Sequence, residues 1–313
     1  MKHIFIINPV AGSKNSAKEI EKKVKEIFKS RKDKALILLT QHSGHATELA
    51  REHAKDGEPV RFYSCGGDGT MNEVLNGMYT YENAELAVYP SGSGNDFVKM
   101  YGDINDITLE SLVEGTPEKT DILKCDDRVA ANIISVGFDA AIADGAKKFK
   151  KIPLIGGSTA YFASLIYNFL CKTAFEYEFV LDGVTYPKSQ YHFGVAANGS
   201  FYGGGFKAAP MANMNDGYID FIMVKKVSRL RILSLINDYK KGTHVKYNDI
   251  VKHVRCKAAQ IKTIGKSLIN LDGEIKVANN PKISIIEKAV SIIRPKLGNK
   301  YKVLPIDGEL AHV

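Results

Sequence analysis

Three glycine-rich stretches in the first hundred residues could gather backbone N–H groups around a phosphate chain. They are Asn8-Pro9-Val10-Ala11-Gly12-Ser13-Lys14, Gly66-Gly67-Asp68-Gly69-Thr70 and Pro90-Ser91-Gly92-Ser93-Gly94-Asn95-Asp96. Glycine has no Cβ and admits φ > 0, so several N–H groups can converge on one anion. A helical pattern follows each stretch and adds its positive end to the same region. Taken singly, each stretch is equally an ordinary strand–helix turn; three in consecutive β-α units are harder to dismiss, because such a fold brings the strand ends together. None has the GxxxxGK[ST] or GxGxxG spacing. Asp68 would repel phosphate unless Mg2+ or a transferred proton makes it useful, and it is expected in a solvent-facing loop. Asp96 is a second candidate for the same ion, and equally a helix N-cap.

A phosphoryl acceptor with a hydroxyl group needs a carboxylate to orient it or take its proton. Asp-Gly-Glu occurs at 56–58, 272–274 and 307–309. Asp-Gly is a common turn dipeptide, so the triplet alone proves little. The first triplet lies between a helix and a strand and reads as a helix stop. The third sits in a short C-terminal tail. The second ends the apolar run Leu268–Leu271 and is the preferred catalytic pair. Asp272 and Glu274 both qualify, with Gly273 expected to bend the chain and aim them differently.

The elements that must hold these groups follow from periodicity. His3–Ile7, Ala35–Leu39, Val60–Ser64 and Leu86–Tyr89 read as strands. Lys14–Arg31, Ala46–Lys55 and Met71–Met78 read as the helices between them, with Ile20, Val24, Ile27 and Phe28 on one face of the first. This order predicts a doubly wound α/β domain over residues 1–125, with ligands at the carboxyl ends of the strands. From Asp126 the texture changes. Ala130–Val136, Phe175–Leu181, Val184–Tyr186, His192–Ala197, Tyr218–Val224, Ala258–Ile264 and Ser267–Leu271 predict a β-sandwich domain over 126–287, interrupted by helices at Thr159–Cys171 and Val227–Lys240.

The chain has 43 Lys and Arg against 35 Asp and Glu, a net charge of +8 that suits an acidic partner. No aromatic-basic stacking motif or recognition helix stands out, which argues against a nucleic-acid partner. Cys65, Cys125, Cys171 and Cys256 are scattered without zinc spacing and read as reduced, mostly buried residues. His42 and His45 have no carboxylate or thiol immediately beside them and read as loop residues. MKHIFIINPV lacks a small-residue cleavage site and reads as a first strand. No run approaches the ~18 apolar residues of a membrane span. An enzyme acting on lipid would then be cytoplasmic and visit the inner face of the membrane.

Asn-Pro-Val-Ala-Gly-Ser-Lys at the start, GGDGTMNEV, PSGSGNDF and the later LDGE together resemble the diacylglycerol kinase catalytic-domain family over about residues 1–295, particularly its soluble bacterial members; sphingosine and ceramide kinases are related. The resemblance implies an ATP-dependent lipid kinase with its active site in the cleft between an ATP-binding α/β domain and a β-sandwich domain. It implies that 288–295 return to the first domain and leaves 296–313 as a tail. By position it implies ATP contacts at Asn8, Thr40, Gly66, Gly67, Asp68, Gly69, Thr70, Met71, Asn72 and Ser93, where the family more often has Thr in place of Ser93. It implies catalytic roles for Asp68, Asp272 and Glu274. It also implies Mg2+ with ATP and a second, structural Mg2+ held by Asp216 and the carbonyls of Asn213 and Tyr218; Asp216-Gly217 is otherwise an ordinary turn. Family members often dimerise, so a homodimer is among the expected partners.

For a lipid acceptor, Tyr161–Leu170 could line an acyl approach, or simply pack as a core helix. Lys147-Lys148-Phe149-Lys150-Lys151 could touch anionic lipid, or be solvated charge at a helix end. The rival readings are a kinase with a soluble acceptor, of the NAD kinase type, and a non-catalytic nucleotide- or lipid-binding regulator.

Overall fold

The computed structural model describes residues 1–13, 15–149, 157–171 and 173–297. Along the chain, β1 (Lys2–Ile7), α1 (Ser16–Phe28), β2 (Lys34–Leu39), α2 (His45–Ala54), β3 (Val60–Gly66), α3 (Asp68–Met78), β4 (Ala84–Pro90) and α4 (Leu109–Val113) form the first domain. Its strands pair in parallel in the order β2-β1-β3-β4. All seven residues of β3 are buried, as expected of a parallel strand covered on both faces. Phe5 and Tyr63 stack with centroids 4.1 Å apart inside this core. The expected face of α1 buries Ile20 and Val24, with Ile27 and Phe28 partly covered.

The chain continues through β5 (Thr116–Cys125), β6 (Arg128–Ala130), β7 (Ile133–Gly137), α5 (Phe138–Phe149), α6 (Gly157–Cys171), β8 (Phe175–Leu181), β9 (Val184–Ala197), β10 (Phe201–Tyr202) and β11 (Phe206–Lys207). It ends in β12 (Ile219–Lys225), α7 (Arg229–Lys241), β13 (Val251–Cys256), β14 (Ala258–Lys262), β15 (Ser267–Leu271), β16 (Glu274–Ala278) and β17 (Lys282–Arg294). The strands of this half pair antiparallel. The first part of β9 pairs with β8, while its end pairs with β7 on one side and β12 on the other. Alternation along β12 separates two cores: Phe221 and Met223 pack with Phe179 and Val136, whereas Ile222 and Val224 pack with Val195 and Ala197. The fold is thus an α/β domain followed by an antiparallel sandwich-like domain, the class read from the sequence.

β5 and β17 join the halves. β17 pairs with β14 through Ile283 and Ser284 and with β4, in parallel, through Ser291 and Ile292. Between these stretches its register with β5 shifts, and Lys288 takes φ 49. The Lys288 N–H donates to Asp121 Oδ1 at 2.6 Å, so the bulge is tied to β5 where the strand passes from one domain to the other.

Two sequence expectations need correction. Ala130–Val136 is two strands rather than one, because the N–H groups of Ala131 and Asn132 donate to the Asp272 carboxylate instead of to a neighbouring strand. Val184–Tyr186 and His192–Ala197 are parts of one strand, β9; α5, β5, β13, β16 and the full length of β17 were not expected.

Candidate active site

The three glycine loops meet at the carboxyl ends of β1, β3 and β4. Ser91 N and Gly92 N both donate to Gly66 O, at 3.0 and 3.1 Å. A β-carbon on Gly92 would fall 2.3 Å from Gly67 Cα, so only glycine allows the second and third loops this approach. A β-carbon on Gly12 would meet Ser91 O at 2.7 Å, which brings in the first loop. Asn8 Nδ2 donates to Thr70 Oγ1 at 3.3 Å, and Asn8 Oδ1 accepts from Val10 N at 3.1 Å. Thr40 N donates to Ile7 O just beyond β2, and Ser93 is exposed at the tip of its loop. Lys14 lies outside the described residues.

Asp68 does not face solvent as expected. Its Oδ1 accepts from Asp96 N at 2.8 Å and Phe97 N at 3.3 Å, and its Oδ2 lies beside Gly94. Burial, and then the neighbouring Asp96 charge, push the Asp68 carboxyl up to about 6. Asp96 neither caps a helix through its side chain nor stands alone. It is paired with Lys99 and accepts from Gly204 N at 2.8 Å. Lys99, which also donates to Gly94 O at 3.0 Å, was missed in the sequence. So was Gly203-Gly204-Gly205, in which all three residues have positive φ. The triple glycine was the available signal.

Met71 and Asn72 turn away from the open side of the loops. Met71 is fully buried in the α/β core. Asn72 Nδ2 donates to Val129 O at 3.0 Å and to Asp272 Oδ2 at 3.3 Å. Both side chains are thus engaged inside the protein.

The turn between β15 and β16 has Asp272 at φ 48 and Gly273 at φ 94, the double left-handed pattern of a tight hairpin. It sends the two carboxylates in different directions. Asp272 is buried and accepts from Ala131 N (2.7 Å), Asn132 N (3.1 Å), Ile133 N (2.8 Å) and Asn72 Nδ2. Burial pushes its carboxyl up to about 6 against those donors, which occupy both of its oxygens. That geometry suits a positioning residue. Glu274 is half-buried and points to the first domain: its Oε1 lies 3.7 Å from where a β-carbon would stand on Gly69. Asp56 and Glu58 of the first triplet instead pair with Lys2, and 307–309 lie outside the described residues.

At the loop expected to hold an ion, Asp216 Oδ1 accepts from Tyr218 N at 3.1 Å and Oδ2 pairs with Arg255 at 2.5 Å. Asn213 Oδ1 accepts from Asn215 N. Both Asp216 oxygens are thus engaged, and an ion there would have to take the carboxylate from Arg255. Elsewhere, Glu48 stands with His42 and His45, their ligand-type atoms within 4.8 Å of one another, so a carboxylate does lie beside the pair. His45 Nδ1 is already spent on Gln41 N at 3.0 Å.

Beside the phosphate loops, a cavity of about 140 Å3 opens among Phe138, Leu165, Phe193, Gly203, Ile232 and Tyr239. Gly203 adjoins Gly204, which holds Asp96, so the apolar space starts one residue from the loop cluster. Asp139 lines it and is buried. Of Tyr161–Leu170, Leu165 faces the cavity, Ser164 and Asn168 bond to α5 carbonyls, and Ile166, Tyr167 and Leu170 are exposed. In the basic cluster, Lys148 pairs with Asp144 at 2.6 Å; Lys150 and Lys151 lie outside the described residues. No helix among the described residues is long and apolar enough to cross a membrane.

Comparison with known proteins agrees with this division of the chain. The family profile for the diacylglycerol kinase catalytic domain matches residues 2–125, and that for the YegS C-terminal NAD kinase beta sandwich-like domain matches 132–294. "Putative lipid kinase YtlR" of Bacillus subtilis (strain 168) is 31% identical over 293 residues, covering 88% of this chain and 94% of that protein. "Putative lipid kinase SAS0691" of Staphylococcus aureus (strain MSSA476) is 26% identical over 271 residues, covering 82% and 85%. A crystal structure described as a putative diacylglycerol kinase from Bacillus anthracis str. Sterne superposes with a TM-score of 0.72 at 23% identity, covering 93% of this chain and 97% of that one; at this identity the likeness speaks for the fold.

Proposed function

This chain belongs to the diacylglycerol kinase catalytic-domain family, and we propose that it is an ATP-dependent lipid kinase that phosphorylates the hydroxyl of diacylglycerol or a similar lipid to give the phosphate monoester. The observation that carries the proposal is the approach of Glu274, from the sandwich domain, to Gly69 of the phosphate loops. A carboxylate from one domain then faces the phosphate-binding backbone of the other, with an apolar cavity alongside.

In this reading the loops around Asn8, Gly66–Thr70 and Ser93 bind the triphosphate of ATP, with Thr40 at the edge of the same site. Glu274 accepts the proton of the lipid hydroxyl as its oxygen bonds to the γ-phosphorus and the bond from that phosphorus to the β–γ bridging oxygen breaks. Asp272 locks the hairpin that aims Glu274. Lys99 adds positive charge beside the third loop. Asp68 Oδ1 is taken by two N–H groups, and its Oδ2 fits a hard cation that prefers oxygen ligands. Mg2+ bound there with ATP would neutralise charge developing on the phosphates. The second Mg2+ implied for Asp216, Asn213 and Tyr218 would share or take a carboxylate that is paired with Arg255. One acyl chain enters the cavity behind Gly203, and the enzyme meets its substrate as a peripheral visitor to the membrane.

Purified protein incubated with γ-labelled ATP, Mg2+ and micellar diacylglycerol, phosphatidylglycerol, an isoprenoid alcohol or a sphingoid base tests this. Label should pass to a lipid, diacylglycerol foremost. Labelling of a soluble acceptor such as NAD, with none of the lipids, would overturn it.

A further inference from the structure

α7 is apolar on two sides. Ile232, Leu235 and Tyr239 turn inward and roof the cavity, yet no residue of the helix is fully buried. Leu230 is 80% exposed and Leu233 54%, one turn apart on the outer side. The C-terminal end of α6 lies against the start of α7: Arg229 donates to the carbonyls of Phe169 (2.9 Å), Leu170 (3.0 Å) and Cys171 (3.2 Å). That bridge brings the exposed Leu170 (67%) and Tyr167 (58%) of α6 to the end of α7 that carries Leu230.

Soluble proteins rarely leave such a patch without a partner. Its surroundings indicate which kind. α7 carries Arg229, Arg231, Lys240 and Lys241 against the single acid Asp238, and Lys225 and Lys226 are exposed just before it. Asp238 is neutralised locally by Lys246 and by hydrogen bonds from Tyr247 and Thr243. Apolar side chains ringed by cations match the boundary between acyl chains and anionic headgroups. The inner side of the same helix roofs the apolar cavity. A space of about 140 Å3 is comparable to one that holds benzene, well short of an acyl chain. A roof with no buried residue is the wall that can yield.

Resting on the lipid-kinase reading, we propose that the outer side of α7 (Leu230 and Leu233) and the end of α6 (Tyr167 and Leu170) dock the protein onto an anionic lipid bilayer. The cavity roof is thereby seated where an acyl chain leaves the membrane.

Flotation with phosphatidylcholine vesicles, with and without phosphatidylglycerol, tests the surface. Wild type should float with the anionic vesicles. Leu230→Ser/Leu233→Ser should bind at least about tenfold more weakly, from the burial value of two leucines. Ile264→Ser, which removes another exposed apolar side chain, should bind as wild type does. Cys171 is the exposed cysteine at the patch while Cys65, Cys125 and Cys256 are buried, so an environment-sensitive dye on it should shift to the blue only with anionic vesicles. Undiminished flotation of the double variant, or a dye that stays in water while the protein floats, overturns the proposal. So does a double variant that falls from dimer to monomer but still floats, since the patch would then be covered by a second copy. Phosphorylation of dispersed short-chain diacylglycerol should survive in the double variant. If no lipid is phosphorylated by any form while the flotation pattern holds, the kinase reading fails and the docking surface stands.

Discussion

Asn72 donates through Nδ2 to Oδ2 of Asp272 at 3.3 Å, joining a helix of the first domain to the hairpin of the second across 200 positions of sequence. The same Asn72 amide reaches Val129 O, and Asn76, one turn on, accepts from Val129 N at 3.0 Å. α3 thus carries the phosphate loop at its N-terminus and grips β6 and the Asp272 turn with its side chains. This grip ties the helix that carries Gly69 to the hairpin that carries Glu274.

The two carboxylates of that turn should therefore fail in different ways. Glu274→Gln should lower kcat by about 10²-fold or more with KM for ATP nearly unchanged, the behaviour of a base acting on the acceptor. Asp272→Asn should lower stability by about 2–4 kcal/mol, because an amide N–H2 would confront backbone donors that now share a carboxylate. Kinetics and denaturant unfolding on both variants check this. Loss of activity in Asp272→Asn without loss of stability would return Asp272 to the chemistry.

Asp68 carries two duties. Asp68→Ala should abolish lipid phosphorylation and also destabilise the fold by about 1–3 kcal/mol, since the N–H groups of Asp96 and Phe97 lose their acceptor. Asp68→Asn keeps an acceptor oxygen and should hold the fold while still losing turnover. Near-normal activity in either variant would remove Asp68 from the mechanism.

Much of the fold was legible because parallel β-α units write their period into the chain, and β1, β3 and β4 end where their glycines begin. Three glycine loops could be expected to meet without knowing which atoms touch. What stayed hidden depends on partners remote in sequence. Asp272 and Glu274 look alike until Ala131, Asn132 and Ile133 are seen to spend their N–H groups on one of them. The pairing of Asp216 with Arg255, 39 positions on, is likewise invisible in the sequence. Asp68 reads as solvent-facing until the third loop closes over it. For the lipid side the sequence offers Tyr161–Leu170 and the Lys147–Lys151 cluster, whereas the exposure of Leu230 and Leu233 is a tertiary fact.

Asp139 supplies a pH dependence. Burial pushes its carboxyl up to about 7, against an ordinary value near 4 in the unfolded chain. Between those values the folded protein keeps a proton that the unfolded chain has lost. This contribution is complete below about pH 4 and is lost as pH rises through about 7. Asp139→Asn cannot titrate. Its stability relative to wild type should rise from pH 5 to pH 8, by an amount on the order of 3 kcal/mol. Denaturant unfolding of both proteins across that range checks it; a constant difference would mean that Asp139 is charged throughout.

The loop at Asp216 decides whether a second Mg2+ has a place. The Arg255 pair is partly exposed, with side-chain exposures of 48% and 25%, and pairs of this kind contribute roughly 0–1 kcal/mol. An ion at millimolar concentration can compete with a partner held that weakly. If Mg2+ takes Asp216 from Arg255, adding it without nucleotide should raise the melting temperature of wild type, because a ligand of the native state alone stabilises that state. Arg255→Gln leaves the carboxylate unpaired and should enlarge the response, by up to about 1 kcal/mol. Asp216→Ala should abolish it. Equal Mg2+ responses in wild type, Arg255→Gln and Asp216→Ala would show that any effect of the ion arises away from this loop.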